Sequence, residues 1–173
     1  MPNARANDVL FVSKSDRKKL ELLISGASLE KRTGYTIEVL VSKATADRLE
    51  LSQQLRRAAG AAAKGKRRDF RSATSRAYYS LYHALRATAF FTHKGDDHEE
   101  HSKLPQGIPA DFPNRAQWEN DLKGARLDRN RANYDPHPKN DLMFKSTALE
   151  LIKKAEDLWP VVRSYLKKKG CSL

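Results

Sequence analysis

A short segment near residue 130 carries side chains suited to chemistry on a phosphodiester. Residues 127–138 read LDRNRANYDPHP and include Arg129, Arg131 and His137. Cleavage of RNA without a metal requires a group with a pKa near neutrality to move protons and a cation to stabilise the charge that develops on phosphate. Histidine and arginine are suited to these two tasks. The segment therefore predicts a candidate site for RNA cleavage.

The same segment also has the composition of a turn between two helices, because Asn, Asp and Pro are common turn residues. In this alternative, Arg129 pairs with Asp135, and Tyr134 fills part of the core. In both interpretations the preceding helix ends near residue 128.

A second segment, residues 75–87, reads SRAYYSLYHALRA and is predicted to be helical. Its aromatic residues at a spacing of four form two rows on neighbouring faces of the helix. Tyrosine stripes of this kind usually pack in a core or at a subunit interface. Arg76 and His83 are seven residues apart and share a face, where both are positioned to reach an anionic ligand or a partner chain.

A third group of polar residues lies in the proline-rich stretch 93–113, which is predicted to be a long connection. The group comprises three histidines and four carboxylates: His93, His98, His101, Asp96, Asp97, Glu99 and Glu100. Two histidines three residues apart beside carboxylates are potential ligands for a divalent metal. Such clusters in polar loops are more often solvated, so the sequence predicts neither a metal nor a cofactor.

Composition limits the classes of function. The chain has 173 residues and a formal net charge of +12, which favours polyanionic partners such as RNA, DNA or an acidic protein. No stretch approaches the ~20 apolar residues of a membrane span, and the N-terminus lacks the apolar core of a signal peptide. The single cysteine, Cys171, excludes a disulfide within one chain. We expect one cytoplasmic domain without a membrane segment.

Apolar periodicity predicts an all-α fold, an antiparallel bundle of four to five helices. The predicted helices span residues 16–25, 36–63, 70 to about 93, 114–128, and 140 onward. Gly26 is expected to end the first helix. Pro160 is expected to kink the last one or to start a new helix after it.

The second predicted helix is defined by a stripe of eight apolar residues, Ile37, Leu40, Val41, Ala44, Leu51, Leu55, Ala58 and Ala62. Their spacing fits a period of 3.6 residues. A short strand over residues 35–41 is the alternative, because Thr, Ile and Val favour strands.

Two of these segments together resemble the HEPN superfamily (higher eukaryotes and prokaryotes nucleotide-binding), in its small prokaryotic branch. The first is Ser75-Arg76-Ala77-Tyr78-Tyr79 with His83, on the predicted third helix. The second runs from Arg129 to Tyr134, with Asn133 where the branch usually has Asp. Between them lies a loop with His101 and Ser102. The resemblance covers residues 44–168 and implies a HEPN-like domain over 44–173, preceded by an extension of unassigned role over 1–43.

The resemblance implies a metal-independent endoribonuclease, acting as a toxin or a defence effector. Such enzymes carry an arginine, four to six residues, and then a histidine, and they bring two copies of this motif together in the cleft of a homodimer. Arg131 and His137 satisfy this spacing, so they are the predicted catalytic pair. RNA-binding or positioning roles fall to Arg129, Asn130, Tyr134, Arg76 and His83.

Arg129 aligns with the arginine of the branch but is too far from His137 for the motif. The alternative is therefore a non-catalytic HEPN module that binds a nucleotide, RNA or a nucleotidyltransferase, which would act as a cognate antitoxin. A homodimer is also expected from exposed aromatic residues on the helix that carries the tyrosine stripe.

Overall fold

The computed structural model describes residues 6–66, 68–95 and 98–173. Over these ranges the chain forms seven α-helices and one 3₁₀ helix and contains no strand, which confirms the all-α prediction. The expected number of four to five helices is too low, because residues 6–13 and 104–107 form helices that the periodicity does not predict. The helices are α1 (Ala6–Ser13), α2 (Arg17–Thr33), α3 (Ile37–Lys64), α4 (Phe70–His93), α5 (Leu104–Gly107), α6 (Arg115–Tyr134), the 3₁₀ helix (Asp141–Phe144) and α7 (Lys145–Lys168). The strand predicted as an alternative over residues 35–41 is wrong, because Ile37 begins a helix.

The chain divides into two compact units, Met1–Leu40 and Val41–Leu173. In the first unit, the Asp16 carboxylate accepts the Lys19 amide at 2.8 Å and caps α2. The predicted stop at Gly26 is wrong, since α2 continues through it. The helix ends instead at Gly34, whose φ of 71° lets its amide bond the Glu30 carbonyl.

Helix α4 forms the centre of the second unit and packs extensively against both α7 and α6. Its start is capped twice. The Asp69 carboxylate accepts the Ser72 amide at 2.8 Å, and the Asp141 carboxylate, from the 3₁₀ helix, accepts the Phe70 amide at 2.6 Å. The apolar periodicity of residues 70–88 predicts one inward stripe on this helix. The prediction is confirmed, because all seven members are buried: Phe70, Ala73, Ala77, Tyr78, Leu81, Leu85 and Thr88.

Helices α6 and α7 supply most of the inward residues that the apolar periodicity predicts, although their ends differ. For the last helix the prediction names Phe144, Ala148, Leu151, Ile152, Ala155 and Leu158, and all are buried except Ile152, which is half-buried. Trp118, Leu122 and Ala125 on α6 are buried. However, α6 continues six residues beyond the predicted end at 128. Helix α7 continues through Pro160 to Lys168, so the predicted restart after this proline is wrong.

Helix α3 packs through a different face from the one predicted. None of the eight stripe residues is buried. The buried face lies one position further along and consists of Ser42, Thr45, Leu49, Ser52, Ala59 and Ala63. The hydroxyl of Ser52 donates to the Ser80 carbonyl on α4 at 2.8 Å, and the hydroxyl of Ser80 donates to the Ser52 carbonyl at 2.9 Å. Two small residues whose hydroxyls are hydrogen-bonded to each other's carbonyls allow the two helices to approach closely. A hydropathy scale does not predict this burial, because it counts serine and threonine as polar.

The aromatic residues of α4 are largely covered within the chain itself. Tyr78 and Tyr82 are buried, and Tyr79 is half-buried. The exposed aromatic surface expected on this helix is therefore absent from the described structure. In the described residues, no helix is long and apolar enough to cross a membrane.

Candidate functional site

Helix α6 continues to Tyr134 and thus includes most of residues 127–138, the candidate segment for RNA cleavage. The expectation of a loop that begins near 128 is therefore wrong. Arg129, in the last two turns of α6, reaches α4. Its Nη2 donates to the Tyr79 hydroxyl at 2.6 Å. Its Nη1 donates to Asn130 Oδ1 at 2.8 Å and to the Tyr134 hydroxyl at 3.4 Å. Two segments that are 50 residues apart thus meet at one guanidinium group.

Three aromatic rings surround the Arg129 guanidinium. Its carbon lies 5.1 Å from the centre of the Tyr79 ring, 5.5 Å from that of Tyr78 and 5.7 Å from that of Tyr134. Distances of this size permit cation–π attraction. Tyr134 is 74% exposed, so one ring of the group faces solvent.

No carboxylate neutralises this arginine within the described part of the chain. The acceptors bonded to Arg129 are two phenols and an amide, and its Nε is buried without a partner. Arg126, one turn earlier on α6, likewise has no ion pair or hydrogen-bond acceptor among the described residues, and its nitrogens are not buried. A half-buried cation without a counter-charge is electrostatically suited to an anion.

His101, from the connection after α4, joins the same group. Its Nδ1 is 2.6 Å from the Tyr78 hydroxyl, and its ring lies 4.2 Å from the Tyr82 ring, centre to centre. Tyr82 is itself anchored, because its hydroxyl donates to the Glu99 carbonyl. Burial, together with the guanidinium groups of Arg129, Arg126 and Arg86, lowers the pKa of His101. The imidazole is thus held towards its neutral form.

From the sequence alone, His101 is only a potential metal ligand and a part of the loop in the HEPN resemblance. Its contacts depend on the path of a connection that has no regular periodicity, so no spacing related it to Arg129. The pairing of His101 with the tyrosines is a tertiary feature.

The two residues predicted to share a face of α4 have different surroundings. His83 is half-buried and stacks on Tyr79, with ring centres 6.4 Å apart. Burial, and then the nearby Arg86, Arg48 and His101, lowers the pKa of His83 to about 4. Arg76 is exposed, and its Nη1 lies 3.5 Å from the Ala58 carbonyl of α3. His83 is therefore uncharged at neutral pH, and Arg76 does not contact the Arg129 group.

Arg131 and His137, the predicted catalytic pair, are both exposed. Arg131 and Pro138 line a crevice of about 50 Å³, together with Asp128 and Phe144. In the described residues, no hydrogen bond or ring contact joins Arg131 to His137. The structure thus places Arg131 at this crevice and shows no direct pairing of Arg131 with His137.

The backbone around His137 is fixed by Arg71, which the sequence shows only as the end of a basic run over residues 64–71. Its Nη1 donates to the carbonyls of Ala132 and Asp135 at 2.9 and 2.8 Å, and its Nη2 donates to that of Pro138 at 2.6 Å. The guanidinium also lies 4.3 Å from the Phe144 ring centre. One side chain of α4 therefore determines the path of the chain between Arg131 and Pro138.

The turn interpretation of this segment is wrong in both of its contacts. The Asp135 carboxylate accepts the His137 amide at 3.0 Å and forms no ion pair with Arg129. Tyr134 is largely exposed and does not fill the core.

The histidines of the potential metal group lie in different surroundings. His93 Nε2 is 3.0 Å from the Gly107 carbonyl, and the His93 and His98 ring centres are 5.2 Å apart, whereas His101 contacts the tyrosines of α4. The described residues contain no group of three potential metal ligands. Asp96 and Asp97, named with these histidines in the sequence, lie outside the described residues.

Comparisons with protein-family models, curated proteins and solved structures find no match for this chain. The HEPN resemblance therefore depends on the sequence motifs alone.

Proposed function

We propose that this protein is a HEPN-type RNA-binding protein that cleaves RNA without a metal, as a toxin or a defence effector. The observation that carries the proposal is the cluster around Arg129. Residues from both segments of the resemblance, Tyr79 on α4 and Arg129 with Tyr134 on α6, contact one another there. The cluster presents a cation without a counter-charge beside an exposed aromatic ring. RNA offers the matching chemistry, because its phosphates are anionic and its bases stack on aromatic rings.

The proposed cleavage uses Arg131 and His137. Arg131 would stabilise charge on the phosphate, and His137 would either take the proton from the attacking 2′-hydroxyl or give a proton to the leaving 5′-oxygen, which departs as a 5′-hydroxyl. Cleavage by this route leaves a 2′,3′-cyclic phosphate. The support from the structure is that both side chains are exposed on a segment whose backbone is held by Arg71. In the proposed homodimer, two copies of this segment share one cleft.

The test is incubation of the full chain with total RNA and tRNA in EDTA, followed by gel and end-group analysis. His137→Ala is compared with His93→Ala, a matched control in which an exposed histidine outside the segment is removed. We expect cleavage by the parent and by His93→Ala, with cyclic phosphate ends, and none by His137→Ala. Equal cleavage by His137→Ala would overturn the role of His137. Absence of cleavage by the parent, with RNA still bound, would favour the second candidate.

The second candidate function is a non-catalytic module that binds RNA, a nucleotide or a nucleotidyltransferase acting as a cognate antitoxin. The exposed Tyr134 ring beside Arg129 favours it, because this pair can form a stacking contact without any proton transfer. Under this proposal, Tyr134→Ala weakens RNA binding, while His137→Ala binds RNA as the parent does. A gene for a nucleotidyltransferase next to that of this chain would support the antitoxin pairing.

A further inference from the structure

The cluster around Arg129 contains hydrogen-bond donors that the protein itself does not use. Arg126 has no acceptor within the described ranges, and its nitrogens are not among the buried unpartnered atoms. His101 uses Nδ1 for Tyr78, while its Nε2 has no partner there and is likewise not buried. Arg129 has three bonds from its two terminal nitrogens, which together carry four N–H groups. Unused N–H donors therefore remain on three neighbouring side chains, two guanidinium groups and one imidazole.

We propose that His101 and Arg126 complete, together with Arg129, a binding site for a phosphate group. The inference deepens the proposed function, on which it rests for the identification of RNA as the natural source of the phosphate. It assigns the contact to a histidine of the connection after α4 rather than to His137. The shape of a phosphate suits this set, because two guanidinium groups and an imidazole can each donate to a different oxygen.

The hydrogen bond to Tyr78 orients the imidazole for this contact. Burial raises the pKa of the Tyr78 phenol, so the hydroxyl keeps its proton, and Nδ1 of His101 is the acceptor that the described residues offer to it. The proposed site uses the tautomer in which Nδ1 accepts from Tyr78. The neutral ring then carries its own proton on Nε2 and presents an N–H donor outward. Packing against the Tyr82 ring restricts the rotation of the imidazole. The ring is thus pre-organised before any anion binds.

The charged and polar groups that face His101 from each neighbouring element favour binding of an anion there. On α6 lie Arg126 and Arg129. On α4 lie three phenols, His83 and Arg86, and Arg86 pairs with the Glu99 carboxylate at 3.7 Å. The carboxylate of Glu100, the residue before His101, pairs with Lys103 at 2.7 Å. Both Glu99 and Glu100 are therefore already engaged by a cation. A bound phosphate would offset the guanidinium groups that now lower the pKa of His101 and would raise that pKa.

The experiment is an NMR titration of the full chain with inorganic phosphate at pH 7, following the ring protons of the five histidines. We expect saturable shifts that are largest for His101. Inorganic sulfate, which stays a dianion between pH 5 and 8, is then used to measure the pKa of His101, which should rise by about one unit when sulfate is bound. In sulfate, binding should therefore strengthen as the pH falls.

Variants locate the site. Arg126→Ala should weaken phosphate binding by about tenfold, the usual effect of losing one charge-assisted hydrogen bond. Lys153→Ala, which removes the same charge from an exposed side chain on α7 bonded to Asp157, should bind phosphate as the parent does. His101→Gln should retain weakened binding but lose its dependence on pH in sulfate.

Three results would overturn the inference: no saturable shift, a largest shift at His137, or equal binding by Arg126→Ala and the parent. None of these readouts requires RNA cleavage. Phosphate binding at His101 by a protein that neither binds nor cleaves RNA would therefore reject the proposed function and keep the site. Cleavage of RNA without a response of His101 to phosphate would keep the proposed function and reject the phosphate site.

Discussion

Arg129 Nη2 donates to the Tyr79 hydroxyl over 2.6 Å and thereby joins the end of α6 to the middle of α4. The bond matters because its donor is a half-buried cation without a carboxylate partner in the described structure. A charged donor of this kind depends on neutral acceptors and on aromatic rings for its stabilisation. The same bond keeps the guanidinium beside His101 and Tyr134.

Tyr79→Phe is expected to destabilise the protein. The substitution keeps the ring but removes the acceptor of a charged hydrogen bond, so the free energy of unfolding should fall by about 1–3 kcal/mol. Urea denaturation followed by circular dichroism measures the change. Tyr134→Phe is the matched control, since its hydroxyl lies 3.4 Å from the same arginine and its ring is exposed. We expect a loss of no more than about 0.5 kcal/mol there, and equal losses in the two variants would contradict the assignment.

Arg71→Lys is expected to loosen the segment that carries His137. Lysine ends in a single nitrogen, which cannot occupy the positions of both terminal nitrogens of the guanidinium, so the free energy of unfolding should fall by about 2 kcal/mol. Hydrogen exchange at the His137 amide, which is bonded to Asp135, should become faster. Arg76→Lys provides the control, because Arg76 is exposed and makes one long hydrogen bond. Unchanged exchange at His137 in Arg71→Lys would show that Arg71 does not hold this segment.

His83 is expected to make the protein less stable in acid. Its pKa in the folded state, about 4, lies below the usual value of 6.5 that it regains on unfolding. Between pH 6.5 and 4, His83 therefore binds a proton in the unfolded state but not in the folded state. The free energy of unfolding falls as the pH drops from 6.5 towards 4. His101 contributes with the same sign, because its pKa is also lowered.

Urea denaturation at several pH values between 7 and 4.5 tests this expectation. His83→Gln removes the titrating group, so its loss of stability over this range should be smaller than that of the parent. Parallel curves for the two proteins would mean that His83 is not responsible for the acid sensitivity.

The face of α3 offers a test of packing. Ser52→Leu inserts a large side chain between α3 and α4 and removes the paired hydroxyl, and it should lower the free energy of unfolding by about 1–3 kcal/mol or more. Leu51→Ser changes a neighbouring residue that is 40% exposed, and its effect should stay within about 0.5 kcal/mol. Hydropathy alone predicts that Leu51→Ser lowers the free energy of unfolding more than Ser52→Leu does. Thermal or urea unfolding of the two variants distinguishes the two faces.

Periodicity predicted the helices whose cores are made of large apolar residues. The inward face of α4, from Phe70 to Thr88, was read correctly because Phe, Tyr and Leu recur with the helical period. The same periodicity predicted the wrong face of α3. There the buried face is lined by Ser42, Thr45 and Ser52, and the apolar Leu51 faces outward. Hydroxyl side chains can be buried when they bond to a carbonyl, and whether they do so depends on the neighbouring helix.

Helix ends were predicted less well for a similar reason. Gly26 is a local stop signal, but helix-forming residues on both sides carry α2 through it to Gly34. At the end of α6, the turn-like composition of residues 127–138 favoured a loop. The helix continues to Tyr134 because the buried Ala132 packs with Phe70 and Ala73 of α4. Burial by another element thus outweighs local composition.

The sequence by itself determined the helical class, the positive charge and the inward faces of α4, α6 and α7. It also determined the candidate residues Arg129, Tyr134 and His83. These features depend only on residue type and on spacing along one helix. Tertiary structure alone decided that Arg129 bonds Tyr79, that Arg71 holds the segment before Pro138, and that His101 packs on Tyr82. Each of these contacts joins residues from elements far apart in the chain. Their distances are set by how the helices pack, and local spacing carries no information about them.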